Sequence, residues 1–163
     1  MNTGDKAPPF ELRDQNGAVV TLASLCADGP AVVFFYPKDG TPVCTAEACA
    51  FRDAYETFTA AGAKVVGISS DAADSHARFA AKYHLPFPLL WDEGGKARAA
   101  WGVPKTLGVL PGRATYVVDR AGVVRHVFVS QMDSRRHVDE ALGVVRTLAE
   151  HGPERTDAGA KVE

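Results

Sequence analysis

Cysteine is scarce in this chain, with three residues among 163. Three cysteines are too few for the disulfide scaffold of a small secreted protein, and they form neither a CxxC pair nor a Cys/His cluster typical of zinc sites. No apolar run approaches the ~20 residues that a membrane span needs. The opening segment MNTGDKAPPF lacks the charged-then-apolar pattern of a secretory signal. We therefore expect a cytoplasmic protein with no membrane or metal partner.

An excess of either charge is also missing, because the formal net charge is −2. Nothing in this balance indicates nucleic acid or an anionic membrane as a partner. Apolar residues make up 46% of the chain and charged residues 23%, as in ordinary soluble globular proteins. The length favours one domain over residues 1–152, and the small polar residues 153–163 predict a disordered tail.

Predicted strands and helices alternate along the chain, which is typical of an α/β protein with a central sheet. Residues 10–22 predict a β-hairpin around Asn16-Gly17. Further strands are predicted at 31–36, 64–69, 87–91, 114–119 and 123–129, and helices at 42–61, 74–83, 96–101 and 134–151. Asp71 or Asp74 is expected to cap the second of these helices, and Ser134 or Asp133 the last.

Cys44 stands at the predicted start of a helix. Thr41 is a good N-cap residue and Pro42 suits the first helical position, so Cys44 would lie in the first turn. Unpaired N–H groups and the helix dipole favour an anion there, which for a thiol is the nucleophilic thiolate. Cys49 follows five residues later. This pattern indicates a redox site, although simple burial as small apolar side chains is the alternative for both cysteines.

The segment Pro37-x-x-x-Thr41-x-x-Cys44 resembles the active-site motif of the peroxiredoxins, which are thiol peroxidases of thioredoxin-like fold. The longer string FFYPKDGTPVCTAEACAFRD is similar to the branch called bacterioferritin comigratory protein or peroxiredoxin Q. GDKAPPFEL and PGRATYVVDRAGVVRHVF resemble the opening segment and the late arginine-bearing strand of that family. Val43 is a departure, since the branch usually has Gly before the peroxidatic cysteine.

The resemblance implies a thioredoxin-like fold with a central mixed β-sheet flanked by helices and an N-terminal β-hairpin. It also implies that Cys44 reduces hydrogen peroxide and organic hydroperoxides and becomes a sulfenic acid. Cys49 would then resolve that acid as an intramolecular disulfide, which thioredoxin or a similar dithiol would reduce. The implied antioxidant enzyme needs no metal, haem or flavin cofactor. We expect it to be a monomer, as this branch often is.

Three residues have a second interpretation besides the one that the family implies. Thr41 can cap the helix with its hydroxyl or point that hydroxyl at the peroxide. Pro37 can shield the thiolate from water or simply shape the loop. Arg113 would be a surface charge on sequence alone, but it matches the arginine that the family places beside the peroxidatic thiolate. A guanidinium there would favour the thiolate and donate to the peroxide.

Other polar residues near the motif give weaker indications. Glu47 is three residues after Cys44 and therefore on the same helical face, either exposed or orienting Arg113. Arg52 lies two helical turns after Cys44 and is a weaker candidate than Arg113. Cys26 is expected to pack in the core, with a backup resolving role as the alternative. All five histidines are expected at the surface, without a catalytic role.

Two other functions remain open from the residues themselves. A dithiol–disulfide oxidoreductase is one, although such enzymes typically use CxxC and the gap here is longer. The other is a redox-sensing protein, in which oxidation of Cys44 switches a binding surface without catalytic turnover. Sustained peroxide consumption with thioredoxin would distinguish a peroxidase from both.

Overall fold

The computed structural model describes residues 1–105, 112–130 and 133–151. The strands are β1 (Glu11–Arg13), β2 (Val19–Thr21), β3 (Ala31–Phe35), β4 (Lys64–Ser69), β5 (Leu89–Trp91), β6 (Ala114–Val118) and β7 (Val124–Val129). The helices are α1 (Leu22–Cys26), α2 (Pro42–Asp53), α3 (Tyr55–Ala60), α4 (Ala73–Tyr83), α5 (Lys96–Ala100) and α6 (Ser134–His151), with a 3₁₀ turn at Glu93–Gly95.

Five strands form one mixed sheet in the order β5-β4-β3-β6-β7. Strands β3, β4 and β5 are parallel to one another, whereas β6 is antiparallel to both β3 and β7. Strands β1 and β2 form a separate antiparallel hairpin. Asp14 stabilises its turn by accepting from the backbone N–H groups of Asn16 and Ala18. The predicted α/β class, with a central mixed sheet and an N-terminal hairpin, is confirmed.

The central strand β3 is buried along its whole length, and its side chains alternate between two apolar layers. Val33 and Phe35 face the layer that contains α1 and α5. Val32 and Phe34 face the layer that contains α2, α3, α4 and α6. Phe51 of α2 stacks on Phe34, with the two ring centroids 4.5 Å apart. Burial of one such side chain stabilises the fold by roughly 1.5–3 kcal/mol, so this stack fixes α2 to the sheet.

The helices differ from the predictions in two respects. The helix predicted over 42–61 is interrupted at Ala54, so that α2 and α3 are separate helices. Gly62 follows α3 with a φ of 87°, a left-handed conformation that glycine adopts easily and that ends the helix as predicted. The short helix α1 was not predicted, because five residues are too few for a helical period.

Helix caps also differ in part from expectation. Neither Asp71 nor Asp74 caps α4 with its side chain, since Ala72 occupies the N-cap position. The Asp71 carboxylate instead accepts from the backbone N–H of Asp39 at 2.6 Å. Asp133 does cap α6, because its side chain accepts from the N–H of Arg136. The Asp71 carboxylate thus forms a hydrogen bond with the backbone of another segment instead of capping the helix that follows it.

The predicted tail and the predicted domain boundary are not tested by the described residues. The expected disordered tail, residues 153–163, lies outside the described residues. The assignment of residues 1–152 to a single domain stays a prediction. Within the described ranges, no helix is both long enough and apolar enough to cross a membrane.

Candidate active site

The carboxyl end of β3 and the amino end of β6 meet at one edge of the sheet. The antiparallel register places Phe35 opposite Ala114. The chain leaves β3 through Tyr36 and Pro37 towards α2, and Arg113 directly precedes β6. The sheet therefore delivers the start of α2 and the arginine to the same place, although the two segments are distant in sequence.

Cys44 lies in the first turn of α2, as the capping pattern predicted. The helix begins at Pro42, and Thr41 holds the N-cap position with extended backbone angles. Only 2% of Cys44 is exposed. Backbone N–H groups of a first helical turn surround an atom in this position and favour negative charge on it.

Arg113 donates hydrogen bonds to two side chains of α2. Its Nη2 donates to Sγ of Cys44 at 3.0 Å, and its Nη1 donates to Oε1 of Glu47 at 2.5 Å. Arg113 is buried rather than exposed. Burial lowers its pKa, but the charges of Glu47 and Cys44 outweigh this and raise the pKa of Arg113 above its ordinary value. The guanidinium is therefore a fixed positive charge in contact with the thiol.

Glu47 is completely buried, in contrast to an exposed first-turn carboxylate. Burial raises its pKa to about 7, while the positive charge of Arg113 acts in the opposite direction. The desolvation of the carboxylate thus outweighs the ion pair. The structure places Glu47 where it can orient Arg113, the second of the two arrangements expected for it.

Thr41 and Pro37 flank the turn before α2. The Thr41 hydroxyl donates to the carbonyl of Lys38 at 3.0 Å, and among the described residues it caps no helical N–H. Of the two interpretations of Thr41, the hydroxyl cap is therefore wrong, because the side chain closes the preceding turn instead. Pro37 is partly exposed in that turn. The peroxide contact of Thr41 and the shielding by Pro37 stay predictions.

Cys49 lies in the same continuous helix as Cys44 and is partly exposed. Cys26 has a different environment, since it is the last residue of α1 and is buried in the apolar layer that contains that helix. Burial, assisted by the negative charge of Asp119, raises the pKa of Cys26 to about 11. That environment disfavours its thiolate and fits the expected packing role.

Arg52 makes its contacts at the opposite end of α2 from Cys44. Its Nη1 donates to the carbonyl of Tyr83 at 2.8 Å, and its Nη2 pairs with the Asp53 carboxylate at 3.0 Å. These contacts connect the end of α2 to the end of α4. Arg52, the weaker of the two arginine candidates for the site, thus links α2 to α4.

Arg98 is a buried residue near the site that no sequence motif indicated. Its Nη1 donates to the carbonyl of Gly112 and its Nη2 to the carbonyl of Tyr36, each at 2.8 Å. Gly112 precedes Arg113, and Tyr36 precedes Pro37. Arg98 therefore holds together the two segments that carry the site, and a basic residue in a short predicted helix was its only signal.

The expectation that all histidines lie at the surface is wrong for His76 and His137, which are fully buried. His137 of α6 places Nδ1 2.7 Å from Oγ1 of Thr115 and 3.4 Å from Oε2 of Glu47. Burial lowers the pKa of His137 to about 4. Both histidines lie in polar stretches of sequence, and their partners come from other elements, so composition alone could not reveal their burial.

Asp39 is the centre of a polar cluster that fixes the turn before α2. Its carboxylate lies 2.7 Å from Nδ1 of His76 and accepts from the hydroxyls of Tyr36 at 2.6 Å and Ser75 at 2.9 Å. Its backbone N–H donates to Asp71. The cluster ties this turn to α4 and to the end of β4.

The sheet, the helix-start thiol and the buried arginine together define a redox enzyme that works through a cysteine. The AhpC/TSA family model matches residues 3–127. The chain therefore belongs to the AhpC/TSA family, within its peroxiredoxin Q branch, and the predicted family and enzyme class, a peroxidase among the oxidoreductases, are confirmed.

Curated relatives and solved structures agree on this branch. Chloroplastic peroxiredoxin Q of Sedum lineare is 54% identical over 149 residues, which are 91% of this chain and 80% of the relative. That of Populus jackii is 52% identical over 91% of this chain and 70% of its own. Peroxidoxin BcpB of Mycobacterium tuberculosis superposes with a TM-score of 0.84 at 42% identity, over 90% of this chain and 97% of that one.

A further solved structure is the bacterioferritin comigratory protein of Xanthomonas campestris, described for its alkyl peroxide reduction activity. It has a TM-score of 0.79 and 32% identity, over 86% of this chain and 92% of its own. The predicted thioredoxin-like fold of the peroxiredoxins is thereby confirmed.

The expected cytoplasmic location is wrong, since the curated relatives are named as chloroplastic proteins. A secretory pattern is a signal for export alone. Its absence does not separate the cytosol from an organelle.

Proposed function

We propose that this peroxidase reduces hydrogen peroxide and small organic hydroperoxides at Cys44, with Cys49 as the resolving thiol and a thioredoxin-like dithiol as the reductant. The observation that supports it most directly is the hydrogen bond from Arg113 to Sγ of Cys44. A thiol held in a first helical turn against a permanent positive charge is biased towards the nucleophilic thiolate.

The first step is attack of the Cys44 thiolate on the outer oxygen of the hydroperoxide. The S–O bond forms as the O–O bond breaks, which leaves a sulfenic acid and an alcohol or water after one proton is taken up. Arg113 and the N–H groups of the helix start can stabilise the charge that develops on the leaving oxygen. The alkyl peroxide activity described for the Xanthomonas campestris relative supports this substrate class.

The second step is attack of the Cys49 thiolate on the Cys44 sulfur, in which the S–S bond forms as the S–O bond breaks, and the departing hydroxide takes up a proton to leave as water. A dithiol reductant then opens the disulfide by exchange and leaves as a disulfide itself. No metal, haem or flavin takes part in this scheme. The enzyme would act in antioxidant defence and redox homeostasis, and we propose that it works as a monomer.

A coupled assay tests this function. Protein, thioredoxin, thioredoxin reductase, NADPH and peroxide are mixed, and NADPH loss is followed. We expect sustained loss that depends on peroxide and that disappears in Cys44→Ser with the fold intact by circular dichroism. One stoichiometric oxidation without turnover would refute the peroxidase cycle and favour a sensor. Peroxide-independent reduction of insulin disulfides would favour the dithiol oxidoreductase.

A further inference from the structure

A buried polar atom on the inner face of α2 lacks a hydrogen bond. Among the described residues, Oε2 of Glu47 has neither solvent contact nor a hydrogen-bond partner, although Oε1 of the same carboxyl accepts from Arg113. Nδ1 of His137 lies 3.4 Å from this oxygen. A buried polar group without a partner is costly, and more so when it is charged. The protonation state of the Glu47 carboxyl therefore depends on the His137 imidazole that faces it.

The hydrogen bonds of His137 define which of its nitrogens carries a proton. Nε2 lies 2.8 Å from the carbonyl oxygen of Ser130, which can only accept, so Nε2 carries the hydrogen. Burial lowers the pKa of His137 to about 4, so the ring is neutral near neutral pH. Nδ1 then offers one lone pair, which the Thr115 hydroxyl at 2.7 Å and a proton carried by Oε2 at 3.4 Å can share as a three-centre hydrogen bond. An ionised Oε2 of Glu47 would face this lone pair with no proton between them.

We propose that Glu47 and His137 hold one proton between Oε2 and Nδ1, and that His137 is thereby a positioning residue of the peroxidase site. The inference rests on the proposed function for its catalytic meaning. In this state the carboxyl donates its O–H towards Nδ1, while Oε1 still accepts from Arg113. The raised pKa of Glu47, about 7 through burial, agrees with a carboxyl that keeps its proton in the interior.

The shared proton changes how many anions the arginine must balance. If Glu47 is ionised, Arg113 lies between a carboxylate and the Cys44 thiolate. If Glu47 keeps the proton, its carboxyl is neutral, and the Cys44 thiolate is then the one anion among the two α2 side chains that the guanidinium contacts. Opposite charges in a buried site attract strongly, so the second state favours the thiolate more.

Within the described part of the chain, a small set of charges acts on this pair. Arg113 faces it from the segment before β6, and Cys44 lies on the same helix as Glu47. Burial lowers the pKa of His137 and Arg113 acts in the same direction, whereas Asp133, just before α6, and Glu140, within it, raise that pKa. From β7 the uncharged ring of Phe128 covers His137, with the centroids 4.7 Å apart.

Infrared spectroscopy of the reduced protein tests the shared proton directly. We expect a protonated-carboxyl band that disappears with a midpoint of about pH 7, that is absent from Glu47→Gln and that titrates about one pH unit lower in His137→Phe. A carboxylate already present at about pH 5, or the same midpoint with and without His137, would overturn the inference.

Oxidation kinetics distinguish positioning from a structural role. The Cys49→Ser background limits the reaction to one oxidation of Cys44 by hydrogen peroxide. His137→Phe should slow this step by up to about tenfold near pH 6 and have little effect above about pH 8, where Glu47 is ionised in both proteins. A rate ratio that does not change with pH would show a structural role and refute the proposal.

A second measurement keeps the inference testable if His137→Phe does not fold. The nitrogen NMR shifts of His137 in the wild-type protein report both ring positions. We expect protonated Nε2 and unprotonated Nδ1 from about pH 6 to 8, and a protonated Nδ1 in that range would overturn the proposal. These titrations need no turnover. A shared proton without peroxide reduction would refute the proposed function alone, whereas a peroxidase without the proton would refute only this inference.

Discussion

Sγ of Cys44 and Nη2 of Arg113 lie 3.0 Å apart, although the residues are 69 positions apart in sequence. They meet because β3 and β6 are antiparallel neighbours, so that the end of one strand lies beside the start of the other. The guanidinium cannot lose its charge under ordinary conditions, and burial protects the contact from screening by salt. Substitution of the arginine should therefore affect the first chemical step directly.

Arg113→Ala should slow the oxidation of Cys44 on the order of 10²-fold, because it removes a fixed charge and donors to the peroxide. Arg113→Lys should also be slow, since a point charge does not reproduce the two-pronged contact with Cys44 and Glu47. Stopped-flow oxidation in the Cys49→Ser background measures this step. Arg52→Ala is the matched control and should stay within about twofold of the parent. Equal rates for Arg113→Ala and its parent would remove Arg113 from the site.

Cys49→Ser should be oxidised once by peroxide and then turn over poorly with thioredoxin. Without the second thiol, Cys44 should persist as a sulfenic acid that a dimedone-type reagent traps, which mass spectrometry detects. Cys26→Ala is the control and should keep its turnover, because the Cys26 thiol is buried with a pKa raised to about 11. Normal turnover of Cys49→Ser, with loss in Cys26→Ala, would instead make Cys26 the resolving thiol.

The helix that carries both thiols should open during each cycle. Five residues along an α-helix place the two Cα atoms roughly 8–9 Å apart, beyond the ~7 Å that a disulfide normally spans. Cys44 and Cys49 are both helical in α2, so at least one turn must unwind before the bond closes. Hydrogen exchange should show residues 42–52 much less protected in the disulfide form than in the dithiol form. Equal protection in the two forms, with the disulfide verified by mass, would refute the unwinding.

The stability of the protein should depend on pH through Glu47 and His137 in opposite directions. The pKa of Glu47 is raised from 4.5 to about 7 in the fold, so the folded state binds more protons in this range and the free energy of unfolding falls as the pH rises. The pKa of His137 is lowered from 6.5 to about 4, so the unfolded state binds more protons there and the free energy of unfolding rises with pH.

The two effects should nearly cancel in the wild-type protein where their ranges overlap. Glu47→Gln should leave the rise due to His137, and His137→Phe should leave the fall due to Glu47, each by about 3 kcal/mol at most. Urea denaturation at a series of pH values measures both slopes. If neither variant differs in slope from wild type, the two groups do not titrate in the folded protein as described.

The strands and the place of Cys44 could be predicted because local signals determine them. The apolar run that ends at Tyr36 and Pro37 gave β3, and Thr41 with Pro42 gave the start of α2. The position of Arg113 came from the family resemblance, since no local pattern links it to a cysteine so far away. A match to a motif thus supplied the tertiary contact that spacing could not.

The buried polar groups could not be predicted in the same way. No local pattern marks Arg98 or His137 as buried, because their burial depends on carbonyl and hydroxyl groups that other elements provide. Tyr36 supplies such a carbonyl to Arg98, and Thr115 a hydroxyl to His137. Such partners become visible only when the sheet order is known, because they meet through strand pairing rather than through sequence spacing.

Two sets of contacts flank the thiols in sequence: the polar cluster around Asp39 precedes Cys44, and the stack of Phe51 on Phe34 follows Cys49. Residues 40–50 therefore form a tethered loop when α2 opens, and tethering limits the conformational entropy that the open form can gain. A loop of this size closes in roughly 10–100 ns, far faster than typical enzyme turnover. Recovery of the peroxide-reactive form should then be limited by encounter with the reductant and not by refolding of α2. The fraction of enzyme in the reactive form would therefore follow the supply of reducing equivalents.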